Sequence, residues 1–165
     1  MLHPQSRRTR TLRTATALGA VSLGLLALSA CEKPTPRATA TVGSSTISTE
    51  ASCYRDGKTI PQKEARKCLS EKTDKTISVG SGDKLRIGVE PDMAEKGWLV
   101  FVNGRPLLPD PMKKTYYSFP GEVFFQQQGA QGQMTTKKST QISIVEADGG
   151  DFKGVWHIKL KNDDD

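Results

Sequence analysis

The stretch Trp98-Leu99-Val100-Phe101-Val102-Asn103-Gly104-Arg105 decides how this chain is read. Its first five residues are all apolar, and most are β-branched or aromatic, which predicts a central strand buried on both faces. The strand runs straight into Asn-Gly. A two-residue type I′ turn needs positive φ at both central positions, and Asn followed by Gly meets that need. The dipeptide therefore predicts a hairpin, with residues 105–108 returning and Pro109 and Pro111 stopping them.

The period-two pattern continues on either side. In residues 84–90 (KLRIGVE), Leu85, Ile87 and Val89 share one face, while Lys84, Arg86 and Gly88 share the other. Ile77 and Val79 form a short strand before it, separated by the turn Gly80-Ser81-Gly82-Asp83. Residues 140–146 put Ile142 and Ile144 on one face. Residues 147–151 (ADGGD) make a turn, and residues 155–161 close the domain with Trp156, Ile158 and Leu160 inward. Two aromatic-rich runs, 114–119 and 123–127, are broken by Pro120-Gly121. The polar stretch 126–138 (QQQGAQGQMTTKK) reads as a mobile loop.

Only residues 61–72 (PQKEARKCLSEK) read as a helix. Pro61 suits a first helical position, and Ala65, Cys68 and Leu69 fall on one narrow apolar stripe. Short strands, frequent turn signals and one short helix predict a mainly β protein, an antiparallel β-sandwich of immunoglobulin-like shape. Trp98 would sit in its core. A small β-barrel is the alternative.

The N-terminal third reads differently. Residues 1–13 are polar and carry Arg7, Arg8, Arg10 and Arg13, and residues 14–30 (TATALGAVSLGLLALSA) are apolar or small. A basic region, a short apolar run and small residues at a cut site make a secretory signal. The run is too poor in strongly apolar residues for a comfortable membrane span. The junction Leu28-Ser29-Ala30-Cys31 resembles the lipobox of bacterial lipoproteins. That resemblance implies removal of residues 1–30 and attachment of diacylglycerol to the Cys31 thiol. Two acyl chains hold a protein at a bilayer where one is marginal. Ser6-Arg7-Arg8 also resembles the start of a twin-arginine signal, but Thr9-Arg10-Thr11 stands where a hydrophobic residue usually follows. Both export routes stay open.

The expected organisation is a signal over 1–30, a lipidated tether over 31–39, the sandwich over 40–161 and an acidic tail over 162–165. The tether spans at most roughly 30 Å when extended, and Pro34 and Pro36 stiffen it. With Cys31 carrying lipid, Cys53 and Cys68 remain. Two thiols in an exported chain predict one disulfide.

The 165-residue chain carries 24 Lys and Arg against 18 Asp and Glu, formally +6. Four of the arginines lie in the leader, and their removal leaves 20 basic against 18 acidic residues. That near balance argues against nucleic acid as a partner. His157 is the one histidine after the leader, and alternation places it opposite Trp156, on a face expected to be exposed. No Gly-x-Ser-x-Gly elbow accompanies it, and no phosphate-cradling Gly-rich loop occurs. Met93, Met112, Met134 and His157 are too scattered for a metal motif. No cofactor and no catalytic residue is expected.

The Cys31 junction, the Cys53/Cys68 pair, residues 97–106 (GWLVFVNGRP) and residues 143–160 (SIVEADGGDFKGVWHIKL) together resemble small actinobacterial lipoproteins whose domain has no assigned function. The likeness is one of layout. It implies a location on the outer face of the cytoplasmic membrane and imports no activity. The expected function is a non-catalytic binding or envelope-support module, held to the bilayer through Cys31 and meeting an envelope protein or ligand. Tyr116, Tyr117 and Phe119 are the candidate contact residues. A small envelope enzyme or metal-handling protein is the alternative.

Overall fold

The computed structural model describes residues 34–129 and 132–164. The leader, the Leu28–Cys31 junction and most of the tether lie outside them.

Twelve strands form two main sheets and one small hairpin. The four-stranded sheet has the order β2 (Ser45–Thr49), β1 (Ala38–Val42), β5 (Lys84–Val89), β8 (Tyr116–Pro120), all antiparallel. The six-stranded sheet runs β3 (Ala51–Tyr54), β12 (Asp151–Asn162), β11 (Ser139–Asp148), β6 (Trp98–Val102), β7 (Arg105–Pro106). β4 (Thr76–Val79) joins β12 beyond β3, as a parallel neighbour in an otherwise antiparallel sheet. The sheets stay open at their edges, so the protein is a β-sandwich and not a barrel.

Two turns fix the large sheet. At the end of β6, Val102 pairs with Arg105 across Asn103-Gly104, whose φ angles are 52° and 77°. These are the positive values the type I′ turn requires. At the end of β11, Asp148 pairs with Asp151 across Gly149-Gly150, at 58° and 94°. Glycine meets that second pair of angles at no steric cost.

The sandwich core lies between the sheets. Leu85 and Ile87 from β5 meet Ile142 and Ile144 from β11, and Trp156, Ile158 and Leu160 from β12. Burying one such side chain contributes about 1.5–3 kcal/mol. Both tryptophans also anchor chain crossings. Trp98 Nε1 donates to the Lys114 carbonyl at 2.8 Å, and Trp156 Nε1 donates to the Pro36 carbonyl at 2.7 Å.

The outer face of the six-stranded sheet carries a second, smaller core. Helix α1 (Gln62–Ser70) lies over it with Ala65 and Cys68 inward, as its apolar stripe predicts. They pack with Ile60, Val145 and Val155, and Phe101 and Phe152 close the margin. The Cys53–Cys68 disulfide ties α1 to β3, with Cα atoms 6.0 Å apart. It joins a helix to one sheet and does not bridge the two sheets.

Several local expectations are corrected. A second helix, α2 (Pro91–Lys96), follows β5, with Pro91 in its first turn and Gly97 at φ 113° ending it. Residues 123–127 are not one strand, because Gly121–Phe124 is a 3₁₀ turn. The stretch 126–138 contains a hairpin, β9 (Gln126–Gln128) with β10 (Met134–Thr136). β1 starts at Ala38, inside the expected tether. Asn162 ends β12, and the Asp163 amide and Asp164 carboxylate bond to Val79 and Ser81, so the start of the expected tail is docked.

The disulfide closes a 15-residue separation. In the chain-entropy account, such a link contributes about 3 kcal/mol. A Cys53→Ala/Cys68→Ala double variant is expected to lose about that much in urea unfolding. Dithiothreitol should shift the wild-type midpoint toward the variant's and leave the variant unmoved.

Candidate functional site

The histidine expected on the surface is buried, because α1 covers the face on which alternation puts it. His157 has no exposed surface, and Ser143 beside it has 7%. His157 Nε2 lies 2.7 Å from the Cys68 carbonyl oxygen, and Nδ1 lies 3.0 Å from Ser143 Oγ. A carbonyl only accepts, so Nε2 carries the proton and Nδ1 accepts from the Ser143 hydroxyl. A serine hydroxyl on an imidazole is the contact of a nucleophile with its base. Here both partners lie beneath a helix and spend their hydrogen bonds within the protein. The pair fastens the last turn of α1 to the sheet.

A second buried polar group lies at one end of the sandwich. Glu146 is fully buried on β11, where a bulge follows it, and its Oε1 accepts from Lys96 Nζ at 2.6 Å. Its Oε2 has no hydrogen-bond partner among the described residues. The hydrogen bond from Lys96 raises the ammonium pKa against the opposing effect of burial. Burial also raises the Tyr54 phenol nearby, and the Glu146 carboxylate adds to it. Tyr54 packs against Trp156 at 6.1 Å between centroids. Gly154 makes room for both rings, since a Cβ there would lie 2.4 Å from the Trp156 ring. Lys96 thus brings the C-terminal turn of α2 down onto the end of β11.

The three candidate contact residues divide. Tyr116 and Tyr117 are 58% and 38% exposed on β8, an edge strand. Phe119 is in the core at 4%, so it is withdrawn from the contact surface. Tyr117 leans onto Phe119, with centroids 4.8 Å apart. Tyr116 points to the opposite side of the sheet, where the Arg86 guanidinium lies 5.3 Å from its ring centroid. A shallow groove of about 530 Å³ runs along this strand beside Lys114, Tyr116 and Ser118. Pro120 removes a donor from the strand edge, which discourages pairing with another chain's strand.

Other clefts of similar size lie elsewhere. One of about 510 Å³ separates the β6–β7 turn from β9 and is lined by Asn103, Arg105, Leu107 and Gln126. Another, about 490 Å³, separates α1 from the β11–β12 turn and is lined by Ile60, Leu69, Arg66 and Phe152. Among the described residues no three His, Cys, Asp or Glu side chains converge as a metal would need. Met93 and Met112 fill the core and Met134 is exposed at 61%.

Compared with protein-family models, with curated proteins and with solved structures, the chain has no match.

Burial pushes the His157 imidazole below its usual value of 6.5, outweighing the Cys68 carbonyl and the Glu71 charge, which favour the proton. Below pH 6.5 the unfolded chain therefore takes up a proton that the folded chain refuses. Stability present at neutral pH is lost as pH falls toward the depressed folded value. The stability gap between wild type and His157→Gln is expected to narrow by up to about 1.4 kcal/mol per pH unit below 6.5. Denaturant titrations at pH 7.5 and 5.5 read this directly, and a constant gap would exclude a neutral His157.

Lys96→Met strands a buried carboxylate, and should cost about 3 kcal/mol. Lys96→Met/Glu146→Leu, which removes both charges, is expected to recover most of that loss in thermal melts.

Proposed function

We propose that this chain is a lipid-anchored extracytoplasmic binding module on the outer face of the bacterial cytoplasmic membrane. The reading is carried by Tyr116 and Tyr117, both exposed on the edge strand β8, Tyr116 on the outer face and Tyr117 on the core side against Phe119. A rigid scaffold presenting amphipathic rings suits recognition, because such a ring loses little freedom on binding. Phe119, buried behind Tyr117, supports the surface without belonging to it.

Two further features support the location. The Cys53–Cys68 disulfide fits an oxidising compartment. On this reading the Leu28-Ser29-Ala30-Cys31 junction is the lipid attachment point; no helix among the described residues is long and apolar enough to cross a membrane. Pro34 and Thr35 are exposed, and Trp156 holds the chain to the domain at the Pro36 carbonyl, within the expected tether.

Cys31→Ser should abolish incorporation of labelled fatty acid and release the protein from the membrane fraction. Labelling unchanged in that variant would sink the anchor. Tyr116→Ala should lose crosslinked partners in intact cells while its melting temperature stays within about 2 °C of wild type. Tyr117→Ala should also cost about 1 kcal/mol, because its ring rests on Phe119. Partner capture that is indifferent to both substitutions would overturn the binding surface.

A further inference from the structure

The two sheets are covered unequally. Helix α1 lies over the outer face of the six-stranded sheet. The outer face of the four-stranded sheet has no helix or strand over it among the described residues.

That bare face has a definite chemistry, set by register. Ser48, Thr39, Gly88 and Tyr116 stand in one row across β2, β1, β5 and β8. Thr46, Thr41, Arg86 and Ser118 stand in the next. A row across four strands is about 14 Å wide. Thr39 leans over Gly88: its Oγ1 donates to the Gly88 carbonyl and lies 2.7 Å from where a Cβ at Gly88 would stand, so only glycine fits there. The face is thus lined with hydroxyls, with the exposed ring of Tyr116 beside them.

Within its four strands the charge has one sign. The four strands contain no Asp or Glu, and their cations, Lys84 and Arg86, lie on the outer face. Among the described residues neither forms an ion pair, and the Arg86 guanidinium rests against the Tyr116 ring. Just past the strand ends, Arg37 pairs with Glu50 at 3.3 Å, its Nε donates to Ser48 Oγ, and its amide donates to the Glu90 carboxylate, so the acids bordering the face are engaged by Arg37. An unpaired guanidinium held against an exposed ring makes a rigid recognition element for anionic groups.

Resting on the binding-module reading, we propose that this face binds an anionic polysaccharide. Sugar rings would lie flat across the hydroxyl rows and stack on the open side of Tyr116. Their carboxylate groups would meet Arg86 and Lys84, and the Thr and Ser hydroxyls would exchange hydrogen bonds with sugar hydroxyls. A polyhydroxylated chain suits a surface lined with hydroxyls and poor in exposed apolar side chains better than an inserting lipid or an apolar protein patch does.

The test uses the full chain purified in detergent, with polygalacturonate as the anionic probe and dextran as the neutral one. Wild type should bind polygalacturonate and not dextran. Arg86→Gln and Tyr116→Ala should each weaken binding roughly tenfold, with melting curves unchanged since both side chains are exposed. Lys159→Gln, on the other sheet, should stay within about twofold of wild type. Equal binding to dextran, or binding indifferent to Arg86 and Tyr116, would overturn the proposal. Arg86-dependent binding to phosphatidylglycerol vesicles without binding to polygalacturonate would assign the face to the membrane instead. A Tyr116-dependent crosslinked partner with no polygalacturonate binding would defeat the polysaccharide alone. Loss of both would defeat the binding module as well.

Discussion

The β11–β12 hairpin is the element on which the rest of the structure depends, because both of its faces are buried. Its even-numbered residues, Ile142, Ile144, Trp156, Ile158 and Leu160, fill the sandwich core, and the odd-numbered Val145 and Val155 fill the layer beneath α1. A strand buried on both sides cannot slip by one residue without putting each side chain into the wrong layer. The Gly149-Gly150 turn and the bulge between Glu146 and Ala147 together set the register, and both cores inherit it. The polar residues of the ribbon then have to be satisfied where they fall. Ser143 and His157 satisfy one another and a helix carbonyl. Glu146 takes its partner from α2. Each small helix is therefore held by a buried polar contact with the ribbon as well as by apolar packing.

How much of this could be read in the sequence follows from which signals are local. Period two over residues 84–90 and 155–161 placed the core face, and Asn103-Gly104 placed a turn, because each depends only on neighbouring residues. The Cys53–Cys68 pair and the stripe of α1 were legible for the same reason. The burial of His157 was not. Alternation assigns a side chain to a face, but only the long-range docking of α1 decides whether that face meets water. The start of β1 falls inside the expected tether because Ala38 and Ala40, though fully buried, carry too little apolar area to stand out among Thr39 and Thr41. Their small size is what lets the sheet approach the bulky side chains opposite. The missed helix α2 had a signal in Pro91 and Gly97 at its two ends, but its six residues are too few for a visible stripe. The Gln-rich hairpin β9–β10 is wholly exposed and carries no apolar alternation to find.

At the candidate contact residues, the sequence left the orientations of the side chains open. Tyr116, Tyr117 and Phe119 lie within four residues, yet successive side chains on a strand point to opposite faces. Phe119 and Tyr117 turn toward the core side and Tyr116 turns away, beside Arg86. Arg86 was legible only as a member of a polar face, since its closeness to Tyr116 comes from the β5–β8 register. A register between strands separated by α2 and the β6–β7 hairpin is not a local property.

On the proposed binding reading, the asymmetry between the sheets also separates the tasks of stability and recognition. One face has α1, a disulfide and a buried histidine to hold its cover in place, which compensates for the limited core of a small domain. The other face carries hydroxyls, two cations and a ring, and has no apolar stripe that would call for a cover. A sheet face left polar by its own sequence can remain open to solvent without loss of stability. The same substitutions that would tune ligand preference there, at Thr41, Arg86 or Tyr116, therefore lie outside both cores. Recognition on this face can change while the fold stays constant, whereas a change at Ser143 or His157 must first be accommodated by α1.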